Sequence, residues 1–270
     1  MAIAAALPPH TAADIARVTE TLAMITPRWN VRILLALNDR PQRYMELWEK
    51  LPWLQPAQLH PKLTSLCDAG LVQRTKHSPR HVTYAHTERA KELLPVLPLI
   101  VAWAEEHLEQ ADSPLTAIEQ IEDSLTLLNR RHAAAILWVL KERGVVDGGT
   151  LGRMIMPKDR SSNVYPPLRQ LVADGLVDSE GAGHPFRLSA AGASLAPVFG
   201  ALSTWAAGQP LAQAARHPLW GNPRTAPAAK PWVSNQPRAP RTALPQSGDL
   251  FSHPPTARPK AALPAGGPHR

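Results

Sequence analysis

The fifteen residues from Gln58 to Val72, QLHPKLTSLCDAGLV, decide the fold. Leu59, Leu63 and Leu66 recur at i, i+4 and i+7, so they share one face of a predicted helix. Gly70 stands where a left-handed C-cap would end that helix, and an extended apolar run begins directly after it. This stretch therefore predicts a helix, a sharp stop and the start of a strand.

The same pattern occurs again from Asn163 to Val177, NVYPPLRQLVADGLV. Two further blocks repeat in the same order. The paired blocks are 28–37 with 131–140, 58–72 with 163–177, and 84–103 with 186–205. Three blocks repeated in one order are difficult to attribute to chance, so we interpret the chain as a tandem duplication.

Each copy is predicted to contain helices followed by a two-stranded hairpin and a long closing helix. The first copy has helical periodicity around Pro27 and Pro41, which interrupt it, and turn residues between two strand-like runs. The predicted helices of this copy are Thr11–Ile25, Trp29–Leu37, Tyr44–Trp48, the helix before Gly70, and Thr87–Glu109; its strands are Leu71–Lys76 and His81–His86. Three helices followed by a hairpin is the winged helix-turn-helix plan.

The predicted fold class is mainly α with small β-hairpins. We expect a first winged helix-turn-helix domain at residues 1–110 and a divergent second one at residues 111–217. A disordered, basic, Pro-rich tail is expected at residues 218–270. The chain is long enough for two domains of about a hundred residues and an extension.

Several motifs of the first copy resemble the HxlR family of bacterial transcription regulators. They are Pro27–Trp29, Ile33–Leu37, Gln58–Leu63, Gly70–Arg74 and Tyr84–Thr87. The resemblance covers roughly residues 22 to 105 and, more weakly, 125 to 207. It implies that the helix at 56–69 enters the DNA major groove, that the hairpin touches the DNA backbone and that end helices form a dimer. Family members usually carry one such domain per chain, whereas this chain carries two.

The positive charge of the chain lies in its C-terminal segment. The formal net charge is +7, yet residues 1–110 hold 12 Lys and Arg against 11 Asp and Glu, and residues 111–217 hold 10 of each. Residues 218–270 hold 7 against 1. A solvated extension and a basic arm that strengthens non-specific DNA contact are both compatible with this composition.

The sequence lacks the usual signatures of enzymes, cofactor sites and membrane proteins. It has no phosphate-binding glycine loop, no Gly-x-Ser-x-Gly and no His-Glu-x-x-His motif, so we expect no catalysis, no cofactor and no metal. No apolar run approaches the roughly 20 residues of a membrane span. Cys67 is the one cysteine, which excludes an intramolecular disulfide, and we interpret it as a structural thiol. We expect a cytoplasmic, nucleoid-associated protein that is not an enzyme.

The first copy supplies most of the candidate DNA-binding residues. With the three leucines facing inward, small and amide-bearing side chains face outward on the same helix, where they suit contact with base edges. Cationic groups at the hairpin tip and at the start of an earlier helix suit phosphate contact. The candidates are Arg28, Arg32, Ala57, Gln58, His60, Lys62, Thr64, Ser65, Lys76, His77, Arg80 and His81.

The second copy is poorer in such residues. Pro167 replaces Lys62, and the matching hairpin tip, residues 180–185, is acidic to neutral. Arg160, Asn163 and Arg169 remain as candidates for DNA contact. Two roles stay open for this copy, namely DNA contact and that of a degenerate partner that completes a pseudo-dimer.

Two matching prolines lie in the repeated helices. Proline inside a helix removes an N–H group and clashes with the carbonyl four residues earlier, which costs about 3 kcal/mol or more. The helices therefore either bend at Pro61 and Pro166 or begin next to them, with proline in the first turn. The adjacent Pro167 favours a late start in the second copy, while Pro56 offers an equally good first position in the first copy.

The helices that join the two copies have more apolar surface than one small domain covers. Leu97 of the closing helix and Leu125 of the next predicted helix, Leu115–Leu128, belong to these surfaces. We expect them to bury each other and to relate the two repeated helices by an approximate two-fold axis.

The primary hypothesis is a sequence-specific regulator of transcription that binds double-stranded DNA as an intramolecular pseudo-dimer. A second copy of the chain and the transcription machinery are further candidate partners, and no membrane is expected. The rival hypothesis is a protein-interaction adaptor, because tandem winged helices also occur in chromosome and transcription assemblies.

Overall fold

The computed structural model describes residues 6–37, 40–108, 115–181 and 183–221, which all fall within one compact unit. Its first half contains helices α1 (Pro9–Ile25), α2 (Asn30–Ala36), α3 (Tyr44–Lys50) and α4 (Pro56–Asp68), strands β1 (Gln42–Arg43), β2 (Val72–Ser78) and β3 (His81–His86), and helices α5 (Glu88–Leu93) and α6 (Leu97–His107). The second half contains helices α7 (Ala117–Leu128), α8 (Ala133–Arg143), α9 (Gly148–Ile155) and α10 (Tyr165–Ala173), strands β4 (Val177–Ser179) and β5 (Phe186–Leu188), and helices α11 (Ala190–Ala193) and α12 (Ala196–Ala206). The described residues are thus mainly helical with small sheets, as predicted.

The repeated stretch forms the predicted helix, stop and strand. Leu59, Leu63 and Leu66 are all at most 1% exposed, so the i, i+4, i+7 spacing does place them in the core. Gly70 has a φ of +69°, which is the left-handed conformation expected of a C-cap glycine. The chain then enters β2 at Val72.

Pro61 and Pro166 occupy different positions in their helices. Helix α4 begins at Pro56, so Pro61 lies inside it, on its exposed side. In the second half a 3-10 turn at Ser161–Val164 leads into α10, and Pro166 falls in the first turn of that helix. The late start favoured by the sequence is confirmed for α10.

The sheet of the first half has one more strand than the sequence predicts. Strands β2 and β3 form the expected antiparallel hairpin, and β1 adds to β3 so that Gln42 lies opposite Tyr84. A strand of two residues is too short to show an alternating pattern. The corresponding sheet of the second half is only the two-stranded β4–β5 hairpin.

Local backbone and side-chain geometry repeats where the sequence repeats. Gly175 has a φ of +71°, close to that of Gly70. The hydroxyl of Thr87 donates to the carbonyl of Gly70 at 2.7 Å, and the hydroxyl of Ser189 donates to the carbonyl of Gly175 at 2.6 Å. Each hydroxyl oxygen also caps the helix that follows. The same side-chain chemistry therefore closes both hairpins onto both repeated helices.

The two halves exchange their opening helices. Helix α1 packs on α8 and α12 of the second half, while α7 packs on α2 and α6 of the first. Leu97 and Leu125 are at most 5% exposed, so the predicted burial between the joining helices is confirmed for both. Leu115, the first residue of the predicted helix Leu115–Leu128, is 40% exposed because it precedes the first residue of α7.

Two tryptophans make matching hydrogen bonds across this interface. The indole N–H of Trp103 donates to the carbonyl of Ala191 at 3.0 Å, and that of Trp205 donates to the carbonyl of Arg89 at 2.7 Å. Trp205 and Ala191 occupy the repeat positions of Trp103 and Arg89. The contact is thus made once in each direction.

The long closing helix predicted from Thr87 to Glu109 is wrong. The chain forms α5, then a 3-10 turn at Leu94–Val96, then α6. Pro95 and Pro98 lie at the starts of the second and third pieces, because neither nitrogen can donate to a preceding carbonyl. Glu109 lies outside the described residues.

The packed part of the chain that the structure describes extends past the predicted domain boundary at residue 217. Trp220 is 3% exposed and packs edge-on against Phe199, with ring centroids 4.9 Å apart. Lys141 donates to the carbonyl of Leu219 at 2.8 Å. Leu219 and Trp220 therefore belong to the core, and residues 222–270 of the predicted tail lie outside the described residues.

Candidate nucleic-acid interface

Helix α4 presents a polar outer face. The candidates on this helix divide into half-buried and exposed side chains. Gln58 and Lys62 are half-buried, and Ala57, His60, Thr64 and Ser65 are exposed. All six lie apart from the buried leucine face, so the helix offers amide, hydroxyl, imidazole and ammonium groups to solvent.

Contacts with neighbouring elements fix the position of α4. The hydroxyl of Tyr44 in α3 donates to the carbonyl of Pro56 at 2.8 Å, while the N–H of Leu71 donates to the carbonyl of Leu66 at 2.9 Å. On the outer face, the hydroxyl of Thr64 donates to the carbonyl of His60 at 3.1 Å. Its proton is therefore occupied, and its oxygen remains able to accept.

The hairpin tip carries exposed cations, as the sequence predicts. Lys76, His77 and Arg80 are exposed and His81 is half-buried. The rings of His77 and His81 lie 4.6 Å apart, and His77 Nε2 is 2.9 Å from the hydroxyl of Thr83. Desolvation, together with the charge of the neighbouring Arg43, lowers the pKa of His81 below its ordinary value of 6.5. Lys76 and Arg80 give the tip a positive charge at neutral pH.

Arg74 is a further cation that our reading of the sequence missed as a site residue. It lies two residues before Lys76 on β2, so both side chains share one face of the hairpin. Strand β2 packs on α4, and the positive charge of Arg74 opposes the rise in the pKa of Cys67 on that helix. The i, i+2 spacing of Arg74 and Lys76 in a predicted strand was the available signal.

Arg28 and Arg32, which were predicted to contact phosphate, both lie beside Trp29, one just before α2 and the other in its first turn. Trp29 adopts a φ of +77° just before α2, and the Arg28 guanidinium lies 4.0 Å above its ring. Arg32 makes a bidentate ion pair with Glu122 of α7: its Nη2 donates to Oε2 at 2.8 Å and its Nε donates to Oε1 at 3.1 Å. Because this carboxylate already neutralises Arg32, we correct its role from DNA contact to a link between the two halves.

Cys67 lies at the edge of the apolar face of α4. Its thiol is partly buried and packs against the core, and burial raises its pKa above the ordinary value of 9.0. The nearby Asp68 carboxylate acts in the same direction. A raised pKa leaves little reactive thiolate near neutral pH, which agrees with the structural thiol expected from the sequence.

The second half places its candidates before and on α10. Arg160, Asn163 and Arg169 are exposed, and none of their side chains makes a hydrogen bond or ion pair with another described residue. Arg160 precedes the 3-10 turn that holds Asn163, and Arg169 lies on the outer side of α10. These three side chains are therefore sterically available to a ligand.

The hairpin of the second half is shorter and less basic than that of the first. Arg187 pairs with Asp178 at 3.8 Å, and His184 lies 3.4 Å from Glu180. Acidic partners thus offset the positive groups of this hairpin, as its acidic to neutral tip predicts.

Among the described residues, no group of three His, Cys, Asp or Glu side chains is arranged to hold a metal ion. No described helix is both long enough and apolar enough to cross a membrane.

Comparison with known proteins places the first half in one family. Residues 24–112 match the model of the HxlR-like helix-turn-helix family. Over 86 residues the chain is 31% identical to the uncharacterized HTH-type transcriptional regulator YdzF of Bacillus subtilis, a match that covers 31% of this chain and 79% of that one. Over 99 residues it is 28% identical to the HTH-type transcriptional regulator YodB of the same organism, covering 36% of this chain and 88% of that one.

A solved structure also matches. It is the reduced form of the transcriptional regulator YodB from B. subtilis, with 29% sequence identity and a TM-score of 0.32, covering 34% of this chain and 93% of that chain.

Proposed function

Because the chain belongs to the HxlR-like helix-turn-helix family, whose matched relatives are HTH-type transcriptional regulators, we propose that it binds double-stranded DNA and regulates transcription. Two winged helices within one chain would act together as an intramolecular pseudo-dimer. Helix α4 enters the major groove, and the β2–β3 hairpin follows the adjacent phosphate backbone.

The observation that carries this proposal is the pairing of α4 with its hairpin. The helix buries its leucines and offers polar side chains on the opposite side, among which the Gln58 amide is able to pair with adenine in two hydrogen bonds. The hairpin beside it carries Arg74, Lys76 and Arg80, none of which has an ion-pair partner among the described residues. Base-reading groups flanked by free cations are what a DNA-binding surface requires.

Reciprocal contacts between the two halves support the pseudo-dimer. In a two-fold interface, residue i of one subunit contacts residue j of the other, and the reverse contact is also made. The hydrogen bonds of Trp103 and Trp205 follow this rule at matching positions. The exchange of α1 and α7 between the halves follows it at the level of whole helices.

The interface between the halves is also well buried. Six apolar side chains of helices at this interface are at most 4% exposed, namely Ile100 and Trp103 of α6, Ile121 and Leu125 of α7, and Leu202 and Trp205 of α12. The Arg32–Glu122 ion pair adds a charged link between the halves. Two halves packed in this way hold their DNA-facing helices at a fixed separation. Contact of both helices with successive major grooves would require a separation of about 34 Å.

The salt dependence of binding to a random-sequence duplex tests the proposal. We expect the full chain to bind with an affinity that falls steeply as salt rises, because phosphate contacts release counterions. Lys62→Ala and Arg80→Ala should each weaken binding to all duplexes and reduce the slope of log K against log salt by about one. Arg216→Ala removes the same charge from a segment that packs on α12, and should leave the slope unchanged.

Two results would contradict the proposal. If Lys62→Ala and Arg80→Ala bind duplex like the parent chain, the contact surface is placed wrongly. If the folded parent chain binds no duplex at low salt, the DNA-binding function is wrong, and the protein-interaction adaptor becomes the better hypothesis.

A further inference from the structure

Residues 58–65 of α4 align one by one with residues 163–170, which form the end of a 3-10 turn and the start of α10, so their outward positions can be compared directly. In both, the inward residues are buried and a glycine of positive φ follows. The outward pairs, first half then second, are Gln58 and Asn163, His60 and Tyr165, Lys62 and Pro167, Thr64 and Arg169, and Ser65 and Gln170. The two members differ in all five pairs.

The largest chemical difference lies at the position of Thr64 and Arg169. Thr64 offers only an acceptor, because its hydroxyl proton is bonded to His60. The Arg169 side chain is exposed and makes no hydrogen bond or ion pair with another described residue. A guanidinium in this position is able to donate two hydrogen bonds to guanine O6 and N7, the commonest base-specific contact in DNA complexes.

The side chains at two further outward positions also differ in chemistry between the two helices. Tyr165, in place of His60, is 41% exposed and presents a large aromatic ring at the start of α10. Pro167, in place of Lys62, has no charge for a phosphate. A base sequence that suits α4 therefore presents the wrong groups to α10.

The phosphate-binding groups are also placed differently. In the first half they follow the helix, on β2 and at the hairpin tip, at Arg74, Lys76 and Arg80. In the second half the hairpin is acidic to neutral, and the exposed cations Lys158 and Arg160 precede the helix instead. The two halves would thus bring their charges to opposite ends of their reading helices.

From these differences we propose that the protein recognises a non-palindromic DNA site made of two unlike half-sites. The half-site under α4 contains an adenine contacted by Gln58, and the half-site under α10 contains a guanine contacted by Arg169. This inference rests on the proposed function and adds what that function leaves open, namely that the second half reads sequence. A chain with two different reading helices also binds its site in one orientation only.

Selection of binding sites from a random-sequence duplex library, with the full chain, tests the inference. We expect an enriched motif with two unlike halves whose centres lie about 10 base pairs apart. Gln58→Ala should relax the adenine preference in one half and leave the other half unchanged. Arg169→Ala should relax only the guanine preference, with a loss of roughly 5- to 150-fold in discrimination at that position.

Arg169→Lys is the matched control for charge. Lysine keeps the positive charge but not the planar fork of donors, so overall affinity and its salt dependence should be retained while the guanine preference falls. Thermal unfolding of each variant verifies that the fold is intact.

The possible failures are distinguishable. A palindromic motif, or a single half-site that Arg169→Ala leaves unchanged, would overturn the inference while leaving DNA binding established. Binding to duplex with no enriched motif would overturn it as well. Absence of binding to every duplex would overturn the proposed function, and the inference with it.

Discussion

His86 joins the hairpin to the core through a buried hydrogen bond. Its side chain is 8% exposed, and its Nε2 lies 2.7 Å from the carbonyl oxygen of Leu34 in α2. A carbonyl only accepts, so Nε2 carries the proton of this bond. Burial lowers the pKa of His86 below its ordinary value of 6.5, and the charge of Lys91 acts in the same direction.

From the lowered pKa of His86 we predict that the folded chain loses stability in acid. Since the pKa of His86 is lower in the folded chain than in the unfolded chain, the unfolded chain binds more protons below about pH 6.5. The free energy of unfolding should therefore fall as the pH drops from about 7.5 to 5.5. His86→Gln keeps a donor for Leu34 but does not titrate, so its loss over the same range should be smaller, with His132 and His217, whose pKa values are also lowered, accounting for part of the remainder.

Urea unfolding at a series of pH values measures this difference. Equal losses in the parent chain and in His86→Gln would contradict the assignment of His86 as a titrating group that destabilises the acid form.

At the scale of elements, Pro61 destabilises α4 because it lies inside the helix. It lies in the sixth position of the helix and is exposed, so its ring adds little packing while its nitrogen cannot donate to the carbonyl of Ala57. Pro166 stands at the matching position but in the first turn of α10, where the N–H groups have no partner within the helix in any case. The same residue at the same repeat position therefore has two different energetic roles.

Substitution of each proline by alanine should separate these roles. Pro61→Ala restores a hydrogen bond inside α4, and we expect the free energy of unfolding to rise by about 1–3 kcal/mol. Pro166→Ala removes a restraint on the unfolded chain without restoring such a bond, and should lower stability by about 0.4–1 kcal/mol. Denaturant unfolding of both variants makes the comparison, and changes of the same sign and size in both would contradict the two roles.

The elements that were predictable from sequence are those with a clear period and a clear stop. Helix α4 and the β2–β3 hairpin were predictable because Leu59, Leu63 and Leu66 recur at helical spacing and Gly70 ends the helix. Strand β1 was not predictable, because two residues carry no period. The break between α5 and α6 was missed because the apolar spacing continues across it, while Pro95 shifts the backbone locally.

The candidate site was predictable only in part. The spacing of apolar residues along a helix shows which side chains face outward, but it does not show which distant residues those side chains contact. The outer face of α4 follows from its inward leucines. The ion pair of Arg32 does not, since Glu122 lies far along the chain and only the tertiary structure brings the two together. The core position of Trp220 depends likewise on Phe199, which no local pattern connects to it.

At the scale of the whole molecule, the proposal is that one chain does what two chains of a single-domain regulator do. In this proposal, the surfaces that would join two subunits are used between the two halves of this chain, where Trp103 and Trp205 are both buried. Removal of residues 222–270 should leave that arrangement in place, whereas a cut at residue 217 would also remove Leu219 and Trp220 from the core.

The stoichiometry on DNA tests this proposal most directly. Light scattering after size-exclusion chromatography, on a duplex that carries the selected site, measures the mass of the complex. The pseudo-dimer predicts one chain of 29.4 kDa per duplex, with protection of both half-sites across two successive major grooves. Two chains per duplex, each protecting a single half-site, would contradict it.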